Sequence, residues 1–116
     1  METKYDRIIR NQVIETLEEV VGIQREYWEI KRTKKKDELL IRQVYCYLLN
    51  KYSQLSLQFI ADLIGLKYHS SVIRTMETVQ SWINNPEENP KAIYFINEFE
   101  KLYEQRTNNN TQSSAE

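Results

Sequence analysis

Apolar residues recur at helical spacing between Lys36 and Lys51, and this is the clearest periodicity in the chain. Residues three and four apart lie on one face of an α-helix, so the pattern predicts an amphipathic helix. Its buried stripe would consist of Leu40, Val44, Tyr47 and Leu48, widened by Ile41 and Tyr45.

Weaker patterns predict the other helices. The chain has 41% hydrophobic and 28% charged residues but only two glycines and two prolines, which is typical of a compact helical protein. We therefore expect one all-α domain of about six helices over residues 1–106, and a disordered polar tail over residues 107–116. The further helices run from Ile8 to Gly22; from Gln24 to Ile30, burying Tyr27 or Trp28; from the N-cap Ser56 to Gly65; from His69 to Ile83; and from Lys91 to about Arg106, after Asn89 as N-cap and Pro90 at the first position.

Several classes of function lack the residues they need. One cysteine, Cys46, and one histidine, His69, cannot form a disulfide or a zinc site. Gly22 and Gly65 cannot form a phosphate-binding loop, so we expect no nucleotide and no other cofactor. No stretch is apolar enough for a signal peptide or a membrane span, so we expect a soluble, cytoplasmic protein. No group of residues has the pattern of a catalytic site, so we expect that the protein is not an enzyme.

Charge is divided unevenly along the chain. Residues 31–74 contain nine basic and three acidic residues, a net charge of +6, so the remainder carries −7 and the whole chain −1. Five of the six residues in the run KRTKKK, from Lys31 to Lys36, are basic. Such a division could direct one surface towards a polyanion, although scattered charges often serve only to solvate helices.

The segment from about residue 56 to 83 has the pattern of a helix-turn-helix: a short helix, a turn at a glycine, and a longer helix that begins with small polar residues. In this motif the start of the second helix contacts base edges in the major groove. His69 lies there, and it could be a catalytic base, a core residue or a base contact. No orienting acid or nucleophile accompanies it, and the apolar stripe begins only at Val72, so base contact is favoured.

The stretch from Lys31 to Ile83 resembles the C-terminal DNA-binding domain of the bacterial replication initiator DnaA, which has a Trp-repressor-like all-α fold. The likeness runs without gaps through the basic run, the Arg42–Gln43 pair, LSLQFIADLIG and GLKYHSSV. In the family the last stretch is roughly Gly-Gly-Arg-Asp-His-Thr-Thr-Val and contacts bases and phosphates.

The resemblance implies a set of DNA contacts. Those to bases would come from Leu57, Tyr68, His69, Ser70 and Ser71 in the major groove and from Lys34 in the minor groove. Those to phosphates would come from Lys31, Arg32, Lys35, Lys36, Arg42, Lys51, Lys67 and Arg74.

Three departures from the family pattern affect these expectations. Tyr68 stands where the family has an Asp, and a phenol cannot replace a carboxylate, so the preferred DNA sequence should differ. Leu66 and Ala61 replace glycines, which is tolerable if the backbone there keeps a negative φ. The family's ATPase module is missing, which suggests the DNA-binding domain as a separate small protein.

We therefore expect a sequence-specific double-stranded DNA-binding protein that regulates replication or transcription in a bacterium, a phage or another mobile element, with a replication or regulatory protein as a further partner. The alternative is a DnaA-like protein-interaction module with little DNA affinity. The acidic balance and Tyr68 favour that alternative.

Overall fold

A computed structural model describes the backbone of residues 2–29 and 35–115, and side chains as far as Asn108. The described residues form helices and no strand, which confirms the all-α prediction. The described ranges contain five α-helices rather than about six, because Arg25–Tyr27 after Gly22 forms a 3₁₀ turn instead of an α-helix. The helices are α1 (Lys4–Val21), α2 (Lys36–Tyr52), α3 (Leu57–Leu63), α4 (His69–Asn84) and α5 (Pro90–Ala115), with 3₁₀ turns at Arg25–Tyr27 and Pro86–Glu88.

Helix α2 lies at the centre and packs against each of the other four α-helices. The predicted stripe is buried apart from Tyr47, which is half-buried. Burial extends beyond the stripe because partners surround the helix; the additional buried residues are Glu38, Arg42, Cys46 and Leu49. Cys46 is a buried thiol outside any disulfide, and burial raises its pKa to about 12.

The segment that follows α1 is held against the core by an aromatic contact of Trp28. Gly22 ends α1 in the left-handed conformation, with φ of 72°, and its N–H donates to the carbonyl oxygen of Glu18. Trp28 then enters the core with no exposed surface, while Tyr27 is 57% exposed. The indole Nε1 donates to the carbonyl oxygen of Ile23 at 2.8 Å, and the indole packs edge-on against Tyr45 with centroids 5.0 Å apart. Of the two aromatic residues that the sequence left open, Trp28 is the buried one.

Helix α5 packs against α1, α2 and α4. Its predicted start is confirmed: Asn89 Oδ1 accepts from the N–H of Ala92 at 3.2 Å, and Pro90 is the first helical residue. The helix continues to Ala115, through the stretch that composition predicts to be a disordered tail. Extending an existing helix adds one hydrogen bond per residue without the cost of nucleating a new helix. Amino-acid composition alone does not reveal this advantage.

Replacement of Trp28 by Ala should lower the free energy of unfolding by about 3–5 kcal/mol, since it leaves a cavity against Tyr45. Tyr27→Ala is the matched control, and its exposed ring should cost at most about 0.5 kcal/mol. Urea unfolding followed by circular dichroism measures both. Equal losses in the two variants would contradict the assignment of Trp28 as the core residue.

Candidate nucleic-acid interface

Helices α3 and α4 form the corner that the sequence predicted. Ser56 is the N-cap of α3, and its Oγ accepts from the N–H of Phe59 at 3.1 Å. At the other end, Gly65 has φ of 75°, and the N–H of Leu66 donates to the carbonyl oxygen of Ala61 at 2.8 Å, which is the bonding of a Schellman motif. No described residue other than glycine has positive φ, so Leu66 and Ala61 keep the backbone that the sequence argument required.

Helix α4 places one face against α2 and α3 and leaves the other in solvent. Val72 and Val79 are fully buried, and Met76 and Ile83 pack against the core in part. His69, Ser70 and Arg74 are exposed on the other side. His69 is therefore not a core residue, as the pattern of this helix predicted.

The first residues of α4 and the turn before it form a contiguous exposed group, from Lys67 to Ser70. Tyr68 is the N-cap residue, but its side chain makes no capping hydrogen bond and is 58% exposed. The Lys67 ammonium lies over the Tyr68 ring, 5.3 Å from its centroid, within the range of a cation–π interaction. Ser71 is half-buried, and its N–H donates to the carbonyl oxygen of Tyr68 at 3.1 Å. This group presents a cation, a phenol, an imidazole and a hydroxyl to solvent at the helix start.

Gln58 was not identified from the sequence, yet it joins α3 to the turn. Its Nε2 donates to Asp62 Oδ1 at 3.1 Å and to the carbonyl oxygen of Lys67 at 3.4 Å. The first contact is an i,i+4 pair that sequence spacing could have indicated. The second depends on where the turn brings Lys67, which spacing alone does not give.

The remaining predicted contact residues differ in their surroundings. Lys35 and Lys36 are exposed at the start of α2, and Leu57 is half-buried at the start of α3. Lys51, at the other end of α2 and about 22 Å from Lys36 by helical rise, forms an ion pair with Glu100 of α5. The predicted residues Lys31, Arg32 and Lys34 lie outside the described part of the chain.

Arg42 is in the interior, with 5% of its surface exposed. Burial lowers the pKa of its guanidinium. It lines a small cavity between α2, the turn and α4, together with Leu39, Gln43, Ile64, Leu66 and Thr75. The structure thus places Arg42 behind the helix-turn-helix rather than beside the exposed group at the start of α4.

The family model for the helix-turn-helix of the bacterial DnaA protein matches residues 10–79, more than half of the chain. The chain belongs to this family. It is therefore a DnaA-like DNA-binding domain. The domains of this family bind DNA and are not enzyme domains. No curated protein and no solved structure matches the chain.

The match extends further towards the N-terminus than the resemblance noted from the sequence, because it begins within α1 rather than at Lys31. It ends at Val79 in α4, so α5 lies beyond it. In the part of the chain that the structure describes, no group of three or more His, Cys, Asp or Glu side chains could hold a metal ion. None of the described helices combines the length and the apolar character needed to cross a membrane.

Loss of the N-cap of α3 should loosen the corner on which α4 rests. Ser56→Ala is expected to reduce the free energy of unfolding by about 0.5–2 kcal/mol, because the N–H of Phe59 loses its acceptor. Ser70→Ala, in the exposed first turn of α4, should change it by no more than about 0.5 kcal/mol. Chemical denaturation measures both, and an Ser56→Ala effect as small as that of Ser70→Ala would show that the cap does not stabilise the corner.

Proposed function

We propose that this protein binds double-stranded DNA at a specific sequence, without enzymatic activity, and that the start of α4 enters the major groove. The observation that carries the proposal is the exposed group from Lys67 to Ser70, at the start of the second helix of a DnaA-family helix-turn-helix. A major groove accommodates an α-helix, and the N-terminal residues of that helix contact base edges.

The side chains divide by chemistry into base and phosphate contacts. Tyr68, His69 and Ser70 have polar atoms that can donate to or accept from base edges, with Ser71 and Leu57 at the margin of this surface. Lys67 is exposed in the turn and Arg74 in the second turn of α4, and both cations suit phosphate contact. A neutral imidazole at position 69 both donates and accepts, so it can pair with either kind of base edge.

Other basic residues extend this surface to different degrees. Lys35 and Lys36 are exposed at the start of α2 and suit phosphate contact, and the sequence adds Lys31, Arg32 and, for the minor groove, Lys34. Lys51 contributes less, since Glu100 already neutralises its ammonium. Arg42 acts mainly by supporting the packing beneath the turn, because only 5% of the residue is exposed.

A DNA-binding domain of this kind suits the regulation of replication or transcription.

A second candidate function, docking of a basic protein partner, is favoured by the surface between α1 and α5. There a groove is lined by the apolar side chains of Val20, Tyr94 and Leu102 and by the acidic side chains of Glu19 and Glu98. Cations at Lys101 and Arg106 already pair with these two carboxylates, so the groove offers less net charge than the sequence suggests.

Fluorescence anisotropy with a labelled DnaA-box duplex, a scrambled duplex and a random-sequence pool tests the proposal at two salt concentrations. We expect submicromolar binding that enriches one sequence and weakens as salt rises. The double variant Lys67→Ala/His69→Ala should weaken binding to the enriched site at least about fivefold, the loss of one base-edge contact. The same variant should reduce the salt slope by about one, since one phosphate contact is removed.

Lys101→Ala is the matched control, because it removes an exposed lysine from α5, outside the helix-turn-helix. The affinity of the Lys101→Ala variant for the enriched site should remain close to that of the unmodified protein. Absence of binding even at low salt would reject the DNA-binding proposal and favour the α1–α5 groove as the functional surface. Equal losses in the double variant and in Lys101→Ala would show that binding is only nonspecific attraction to charge.

A further inference from the structure

Tyr68 combines three properties that a residue determining sequence preference needs. It is the N-cap residue of α4, so its side chain leaves the chain where the helix begins. Tyr68 is 58% exposed, which places it among the most exposed large hydrophobic residues that the structure describes. The Lys67 ammonium lies 5.3 Å from the ring centroid, a cation–π contact that favours this position of the ring.

The hydroxyl group of a tyrosine discriminates poorly among bases. It can donate to the acceptors of guanine, adenine or thymine, and it can accept from the amino groups of adenine or cytosine. The ring is different, because it offers an apolar surface. Only one base presents an apolar group in the major groove, namely thymine with its C5 methyl. An exposed aromatic ring that enters this groove therefore has an apolar partner at thymine and at no other base.

The contact with Lys67 is compatible with this role. The ammonium occupies one face of the ring, which leaves the other face and the edge for the ligand. An exposed ammonium next to the ring can also contact a phosphate, so Lys67 could serve the backbone while Tyr68 contacts a base.

We propose that Tyr68 selects a thymine at one position of the DNA site by packing its ring against the C5 methyl group. This inference rests on the proposed function, since it requires α4 to enter the major groove. It predicts that the site differs at that position from the site of a relative with a carboxylate there, because a carboxylate accepts hydrogen bonds and has no apolar surface to offer.

The test begins with selection of bound duplexes from a random pool by the unmodified protein and by Tyr68→Ala. One thymine should be fixed by the first and lost by the second. Replacement of that thymine by deoxyuridine removes only the methyl group, and it should weaken binding of the unmodified protein about fourfold. Tyr68→Ala should bind both duplexes equally, and 5-methylcytosine at the position should bind more tightly than cytosine only when Tyr68 is present.

Two further variants make the result specific. Tyr68→Phe should keep the thymine preference, because it retains the ring and loses only the hydroxyl. Tyr94→Ala, which removes an equally exposed tyrosine from α5, should leave the selected site and the deoxyuridine effect unchanged. Urea unfolding of each variant verifies that the fold is retained, which the exposure of both rings leads us to expect.

The possible failures are distinguishable. If the unmodified protein enriches no sequence, the proposed function and this inference both fail. If it enriches a sequence but deoxyuridine binds as tightly as thymine at every position, DNA binding stands and the methyl contact is wrong. If Tyr68→Phe loses the preference, the hydroxyl group rather than the ring is the selective group, and the inference is overturned.

Discussion

The fold depends on the burial of α2 on several sides at once. Each of the other four α-helices packs against it, and its apolar residues from Leu40 to Leu49 are buried apart from the half-buried Tyr47. Burial of apolar surface is the dominant favourable term in folding, so this helix fixes where its partners lie. The orientation of the α3–α4 corner, and with it the exposed group at the start of α4, follows from that packing.

Those parts of the fold that local signals encode could be predicted from the sequence. Four features each depend on residues within one or two helical turns: the stripe of α2, the Ser56 cap, the stop at Gly65 and the start at Pro90. The choice between Tyr27 and Trp28 could not be predicted, because it is decided by Tyr45, which is remote in sequence. The short segment after Gly22 carries too few residues for periodicity to separate a 3₁₀ turn from an α-helix.

The candidate site shows the same division. The pattern of α4 predicts which of its residues face solvent, and His69, Ser70 and Arg74 do so. The sequence does not reveal that Arg42 turns inward or that Lys51 meets Glu100, since both outcomes are set by neighbours from other helices. Basic residues read from the sequence as one surface are therefore unequal in the folded chain: some face solvent, one is buried and one is paired.

A net charge of −1 does not oppose DNA binding in a molecule built this way. Affinity for a polyanion depends on the cations that reach its phosphates and on local potential, and screening limits the influence of charges beyond about 8–10 Å. The acidic residues of α1 and α5 belong to helices that pack on each other, whereas α3 packs mainly on α2 and α4. Several of those carboxylates also pair with cations on their own or a facing helix, as Glu19 does with Arg106. The fold thus places most carboxylates outside the α3–α4 corner, which itself carries the exposed Asp62 and Glu77 beside the exposed Lys67 and Arg74.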